Sequence, residues 1–435
     1  MLQYGTMRTP FQIKIGRTLI LLFILLLQSA AAASDDKPVE IQVLYMVQSG
    51  YQPDAIIDRT RQYMQSSSNR VKLHFVEYKE LLDHIRLGVK QNTYDVVLAD
   101  VIWIERLVAD GSLLPLPPEL SRQVRAGMVS QIVEPFDHDN SLYAFPFFVD
   151  FQLLFSNMRI LEEAGFSSPP RSVEEIISMA QAIKDQGILT YPIFDSLIPA
   201  EVLICELIIW AGAFGGDSNP LGSDSEIRVN SPSAREALLW LQSCFRSGLI
   251  NPYSLEADEV FSAEVFLAED SAFTTNWLFL LGKIRNSDKA IRDYSQPTLI
   301  PVSSKYRKTS SDTSSVNGIQ GLSVLSSSSI PDESWDYISF MSEMDFHTQY
   351  PDELAPWSRI WDENPGMDPY LNLKIAQLSG LRDRPSHENY QEISIILQKW
   401  IHTILTEQLD PHEGLERAQE EIDTIIDSRK QHGSD

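Results

Sequence analysis

Cysteine is almost absent: the 435 residues include two, Cys205 and Cys244. That excludes a disulfide-stapled scaffold, and no Cys/His spacing suits a zinc site. Whether the two thiols meet or stay apart and buried is open at this level. Basic residues are scarce as well, 35 Lys and Arg against 60 Asp and Glu, for a formal net charge of −25. Nucleic acid and anionic membrane surfaces both require a basic footprint, so this balance argues against either as partner. After residue 33 no uninterrupted apolar run reaches the length of a membrane span. Catalytic motifs are missing too: there is no HExxH, GxSxG, P-loop or strand-linked GxGxxG. Asp137, Asp139 and Ser141 have the odd-position spacing of a calcium loop. Leu142 stands where that loop needs Gly, and Phe148 where it needs Glu, so the segment reads as a polar turn. Nothing asks for a metal or cofactor. A glycosidase pair of carboxylates stays open, because such a pair is spatial rather than sequential.

What is present is an ordinary globular composition, long enough for two or three domains or two large lobes. Residues 1–33 carry Arg8, Lys14 and Arg17, then nine apolar residues from Leu19 to Leu27, then an Ala-rich end. This reads as a secretory signal peptide and predicts a periplasmic protein; an uncleaved anchor is the alternative. No cysteine near the cleavage site supports a lipid anchor.

The next hundred residues alternate strand and helix. VEIQVLYM (39–46), VKLHFVEY (71–78) and YDVVLAD (94–100) read as strands, with helices from Pro53 to Ser66 and from Lys79 to Lys90 between them. That order predicts an α/β lobe with a parallel sheet. The middle is helix-rich. Ser172 with Glu175 suggests a capping box, 199–214 is apolar nearly all round, and Ser231-Pro232 gives N-cap and N1 signals. SAFTTNW (271–277) and GLSVL (321–325) read as strands, and the chain ends in helices.

Several segments together resemble the extracellular solute-binding proteins of carbohydrate ABC transporters, most closely the maltose/trehalose type. They are residues 94–116 (YDVVLADVIWIERLVADGSLLPL), 143–184, 201–217, 266–279 (FLAEDSAFTTNWLF), 318–324 (GIQGLSV) and 382–394 (RDRPSHENYQEIS). The resemblance runs through residues 39–428 in the family's order. It implies a two-lobe, periplasmic-binding-protein-like α/β fold with discontinuous lobes and a hinged ligand cleft. Carried over, lobe 1 is 34–148 plus 318–348, and lobe 2 is 149–317 plus 349–435. It also implies a non-enzymatic monomer that captures a carbohydrate, such as trehalose or maltose, and delivers it to an ABC permease. The rivals are a secreted glycoside hydrolase, a binder of another solute and a sensory role.

A sugar site needs planar polar groups for hydroxyls and aromatic faces for the pyranose. Asp100 follows an apolar strand at its carboxyl end, where open α/β sheets bind ligands. It also suits an N-cap for the helix after it. Asp150 sits in an apolar run, PFFVDFQLLF, and therefore needs a cleft or a salt bridge across the hinge. The resemblance makes Trp277, after Asn276, the sugar-stacking indole; a core Trp is the alternative. Trp103 and Trp357 are further aromatic candidates, Trp103 having helical spacing with Leu107. Glu201 is either cleft-facing or a solvated first-turn carboxylate. Gln48, Ser49 and Gly50 follow the first strand and could line the cleft or form a simple turn. Gly318 should let backbone approach the ligand. Gln320 stands where many family members have an aromatic residue.

Overall fold

The computed structural model describes residues 38–47, 50–223, 226–309, 312–363 and 366–432. The proposed signal segment, residues 1–33, lies outside them, as do Gln48 and Ser49.

Eight strands make the two larger sheets: β1 (Glu40–Met46), β2 (Arg70–Val76), β3 (Val96–Asp100), β4 (Phe145–Phe148), β5 (Gln152–Asn157), β6 (Phe273–Trp277), β7 (Ser295–Thr298) and β8 (Gln320–Val324). The first sheet has the order β2-β1-β3-β8-β4. β1 lies parallel to β2 and β3, and β8 runs antiparallel to β3 and β4. Its central strands β1 and β3 are rich in apolar residues and largely buried. VVLAD of β3 and QGLSV of β8 are buried at every position. Gly321 is required in β8, since a Cβ there would stand 2.7 Å from the Ala144 Cβ and 3.0 Å from the Phe145 carbonyl. The second sheet is antiparallel, in the order β6-β5-β7.

Among the helices are α1 (Pro53–Ser66), α2 (Tyr78–Gln91), α3 (Val101–Ala109), α4 (Glu201–Ala213), α5 (Pro232–Arg246), α6 (Glu259–Leu267), α7 (Tyr390–Leu405) and α8 (Pro411–His432). The sequence signals for their starts hold. Pro53 and Pro232 open α1 and α5, and the Ser231 hydroxyl accepts from the Ala234 amide at 3.1 Å. Ser172 caps the helix that begins at Val173, accepting from the Glu175 amide. The Glu175 carboxylate, however, reaches back to the Arg171 amide. α4 is buried at every position after Glu201, as a helix apolar all round must be. It packs against α5 and α7, and α8 closes that layer by lying on α7.

The calcium-like spacing at 137–141 is a two-stranded hairpin whose tip residues, Asp139 and Asn140, have φ of 49° and 64°. Asp and Asn tolerate that left-handed pair, so the turn needs no ion. Cys205 and Cys244 are both free and buried. Burial pushes the Cys244 thiol up to about 12 and the Cys205 thiol well above its usual value, which makes both poor nucleophiles.

Two stretches of chain link the two sheets, and a third segment pairs with one of them. Residues 149–151 lead from β4 to β5, and 317–319 lead into β8. Leu354 forms an isolated bridge with Val149. The Gly318 amide donates to the Asp150 carbonyl at 3.0 Å, and the Ser315 hydroxyl both accepts from and donates to the Gln152 backbone. The crossings are thus laced to one another rather than free to move singly.

Candidate binding site

The register of the first sheet places Gln320 opposite Asp100, so one strand end brings a carboxylate and an amide side by side. Trp277 ends β6 of the second sheet. These three residues line a cavity of ≈ 210 Å³. Asp150 and Gly318 reach it from the crossings, and Glu201 from the first turn of α4. The first turns of α2 and α6 supply further walls, Tyr78 and Lys79 from one and Glu259 and Val260 from the other.

Asp100 stands at the cavity and caps the helix after it, α3, its Oδ1 accepting from the Ile102 amide at 3.2 Å. Its carboxylate is also held by Tyr78, whose hydroxyl donates to Oδ2 at 2.8 Å, and by Arg384, whose Nη2 lies 3.0 Å from Oδ1. Arg384 is a residue that the sequence reasoning missed. Its Nη1 donates to Glu201 Oε1 at 3.1 Å and its Nη2 also reaches the Asn317 carbonyl. One guanidinium therefore ties the end of β3 to the start of α4 and to a crossing. Burial alone would lower its pKa; Asp100 and Glu201 outweigh that and hold it well above the ordinary value. Glu201 is further bound by the Tyr390 and Ser394 hydroxyls at 2.5 and 2.6 Å. It is a bound carboxylate at the cavity wall rather than a solvated helix-end charge.

Asp150 makes no ion pair among the described residues. Its Oδ1 accepts from the Phe151 and Leu278 amides at 2.9 and 3.2 Å. Burial, and after it the charge of Glu353, pushes this carboxyl well above the usual carboxylate range, against the pull of those two amides. The Leu278 contact sets Asp150 beside the turn that carries Trp277. Trp277 is partly exposed, and its ring lies over Gly318: a Cβ at Gly318 would sit 2.4 Å from Cζ3. Only glycine lets the crossing pass under the indole. Asn276 is buried one residue back. Its amide donates to the Glu259 carbonyl and Ser262 hydroxyl, and its Oδ1 accepts from the Trp277 amide. It holds the turn and is not part of the cavity wall.

The other candidates fall elsewhere. Gly50, with φ of +70°, packs its Cα against the Phe148 ring, away from this cavity. Trp103 is buried and stacks on Tyr78 with ring centroids 5.3 Å apart. Through Tyr78 it backs the wall without forming it. Trp357 is core, edge-on to Phe145, with its indole N–H donating to the Ser342 carbonyl. Gln320 is buried and its Oε1 has no partner among the described residues. Besides Arg384, the sequence reasoning did not single out Tyr78, Lys79, Asp258, Glu259 or Val260. They open helices, a position that carries no pattern marking it as cleft-facing. For Arg384 the one sequence signal was its place in the 382–394 segment.

Residues 49–345, more than half of the chain, match the model of the bacterial extracellular solute-binding protein family. The chain belongs to that family. Of its curated relatives, a "Probable ABC transporter-binding protein" of Deinococcus radiodurans is 30% identical over 206 residues. That alignment covers 44% of the present solute-binding protein and 46% of the relative, so the chain spans about half the relative's length. Among solved structures, maltose-bound T. maritima MalE3 superposes with a TM-score of 0.79 at 19% identity, covering 89% of this chain and 100% of that one. A Thermotoga lettingae solute-binding protein bound with α-D-tagatose gives 0.79 at 17% identity, over 89% and 99%. The sugar-binding protein MalE of Xanthomonas citri gives 0.75 at 16%, over 91% and 99%. At these identities the likeness establishes the fold: the solute-binding protein has the two-lobe architecture of the periplasmic sugar-binding proteins. Among its described residues no helix is long and apolar enough to cross a membrane.

Proposed function

We propose that this solute-binding protein is exported to the periplasm, captures a carbohydrate in the cavity between its sheets and delivers it to an ABC transporter permease. The observation that carries the reading is the combination at one cavity of a partly exposed indole, Trp277, with the planar polar groups of Asp150 and Gln320. An indole face covers the apolar side of a sugar ring while carboxylate and amide take its hydroxyls. Solved relatives named for maltose and tagatose binding support a sugar over other solutes. In this reading lobe 1 is 34–148 plus 318–348, lobe 2 is 149–317 plus 349–435, and residues 1–33 are the signal peptide. The laced crossings at Asp150 and Gly318 fit those boundaries. Asp100, Glu201 and Gly318 shape the wall, and Trp277 and Asp150 meet the ligand. No step of this function asks for a metal or a cofactor.

The test is to purify the protein under native conditions, denature it and identify the released small molecule by mass spectrometry. A mono- or oligosaccharide at near-stoichiometric yield is the expected result. A polyamine, peptide or phosphodiester in its place would overturn the reading.

A further inference from the structure

We infer that the cavity selects an amino-bearing sugar, seating a protonated amine against Asp150 beside the Trp277 ring. The inference rests on the carbohydrate reading above and narrows its substrate class.

It starts from where the charges at the wall are already used. Five carboxylates line the cavity: Asp100, Glu201, Asp150, Asp258 and Glu259. Two cations face them. Arg384 is shared between Asp100 and Glu201, at 3.0 and 3.1 Å, and is therefore spent. Lys79 is paired at 2.7 Å with Glu77, outside the cavity wall. Asp258 and Glu259, at the first turn of α6, form no ion pair among the described residues, and neither does Asp150. The Asp258 carboxylate caps its helix through the Phe261 amide, and Asp150 holds two backbone amides. Among the described residues, then, no cationic side chain pairs with these three acids, and burial raises Asp150 and Glu259, so their carboxylate form awaits a cation from outside the chain.

A second observation is independent of charge. Gln320 is 5% exposed, lines the same cavity, and its Oε1 has no hydrogen-bond partner among the described residues. A buried acceptor left bare is costly, so the occupant must bring donors to it. Arg384 Nε, also buried and bare, supplies a donor for one ligand oxygen. A sugar has the hydroxyls for both. A neutral sugar leaves these acids without a cationic partner, whereas an ammonium group supplies one to the carboxylate form. The Asp150 position suits that group doubly, because the indole beside it attracts a cation through its ring face.

The groups that act on Asp150 are Glu353 behind it, Glu259 across the cavity, and the Phe151 and Leu278 amides; Lys79, Asp258 and the Arg384 triad complete the wall. Burial and Glu353 favour the protonated acid in the empty protein. An arriving cation favours the carboxylate. Binding of the amine must then release a proton, and affinity must rise with pH as long as the amine stays charged.

The experiment is calorimetric titration of the full mature chain with two matched pairs: D-glucosamine against D-glucose, and the fully deacetylated chitin disaccharide against cellobiose. The expected result is at least about tenfold tighter binding of one aminated member than of its neutral partner, a free-energy difference of about 1.4 kcal/mol. Its heat should vary with the ionisation enthalpy of the buffer, and its affinity should increase between about pH 5 and pH 7. In Asp150→Asn the ratio within the pair should fall toward one. The wild-type buffer dependence keeps the test alive if that variant folds poorly. A neutral sugar that binds as tightly as its aminated partner overturns the inference and leaves the carbohydrate reading intact. Absence of binding by all four probes also overturns it, and the mass spectrometry above then decides the carbohydrate reading separately. Binding of spermidine with no sugar binding overturns both.

Discussion

Trp277 is only partly covered by its own protein, and the uncovered face is what a sugar would use. One indole face is about a third of an aromatic side chain's typical 150–250 Å² burial, or roughly 70 Å². At about 25 cal/mol per Å² that gives about 1.7 kcal/mol from the ring, with a similar order from the sugar. Trp277→Ala should therefore weaken carbohydrate binding by about 2–3 kcal/mol, about 30- to 150-fold, as read by calorimetric titration. An unchanged affinity with a large loss in denaturant melts would instead make Trp277 a core residue. Asp100 leads to a different expectation from the one its sequence position suggests. As an N-cap facing the cleft, it would tolerate Asn with little loss of stability. In the structure its carboxylate also neutralises a guanidinium that is 4% exposed. Removing one partner of a buried pair costs about 3–5 kcal/mol, so Asp100→Asn should lower stability by about that order. An Asp100→Asn melt within about 1 kcal/mol of wild type would show that Arg384 is satisfied by Glu201 alone. Asp100 and Asp150 stood out in the sequence as an acid at a strand end and an acid in an apolar run, and Trp277 through the family resemblance; the structure brings all three to one cavity wall. Arg384 did not stand out, because nothing near it in sequence shows that Asp100, 284 positions away, is its partner.

At the scale of elements the α/β alternation was readable from periodicity, and the observed bounds of β1, β3, α1 and α4 lie within about two residues of those expectations. The topology was not readable from periodicity. Only the family resemblance placed β8 in the first sheet, because a strand pairing across two hundred residues leaves no local mark. The aromatic candidates divide for the same reason: Trp103 and Trp357 have the composition of a cleft residue, and only packing shows that Tyr78 and Phe145 cover them. The crossing at Gly318 carries an element-level prediction. A methyl group there would stand 2.4 Å from Trp277 Cζ3 and 3.3 Å from the Asp150 carbonyl, so either the ring or the crossing must shift. Overpacking of this kind typically costs about 1–3 kcal/mol. Gly318→Ala should lower the melting temperature and weaken ligand binding at least about tenfold, since the displaced ring is the one that stacks. A variant with normal affinity would place the sugar away from that face of Trp277.

At the scale of the whole molecule, the acidity seen in composition continues into the interior. Asp195 and Glu206 are both buried and share the single hydroxyl of Thr275, at 3.1 Å from Asp195 and 3.0–3.1 Å from Glu206. One hydroxyl proton cannot serve two carboxylates, so the pair favours holding a proton of its own. Burial pushes Asp195 up to about 6; burial, and then the charge of Asp195, pushes Glu206 well above the carboxylate range. Burial likewise raises Glu353 to about 7. Each of these acids binds its proton more tightly folded than unfolded. The stability they confer is therefore complete below about pH 4, near their unfolded values, and is lost as pH rises, for Asp195 and Glu353 through about 6 to 7. Glu174 works the other way: burial raises it, but the Ser304 amide and Ser303 hydroxyl outweigh that and hold it at about 2. Its contribution is lost only as pH falls below the unfolded value near 4.5, toward about 2, and so lies outside the window from pH 5 to 8. The ligand-free protein should accordingly melt at a higher temperature at pH 5 than at pH 8, with a difference in stability on the order of 1–3 kcal/mol from Asp195 and from Glu353, and a change of the same sign from Glu206. Glu206→Gln isolates the cause. The amide oxygen can still accept from Thr275 and from the Trp210 indole N–H, the latter now 3.1 Å from a carboxylate oxygen, while the repulsion on Asp195 disappears. The variant should gain stability at pH 8, gain little at pH 5, and show a flatter pH profile than wild type. A wild-type melting temperature that rises from pH 5 to pH 8, or a variant profile parallel to it, would mean that the Asp195–Glu206 pair does not set the pH dependence of this fold.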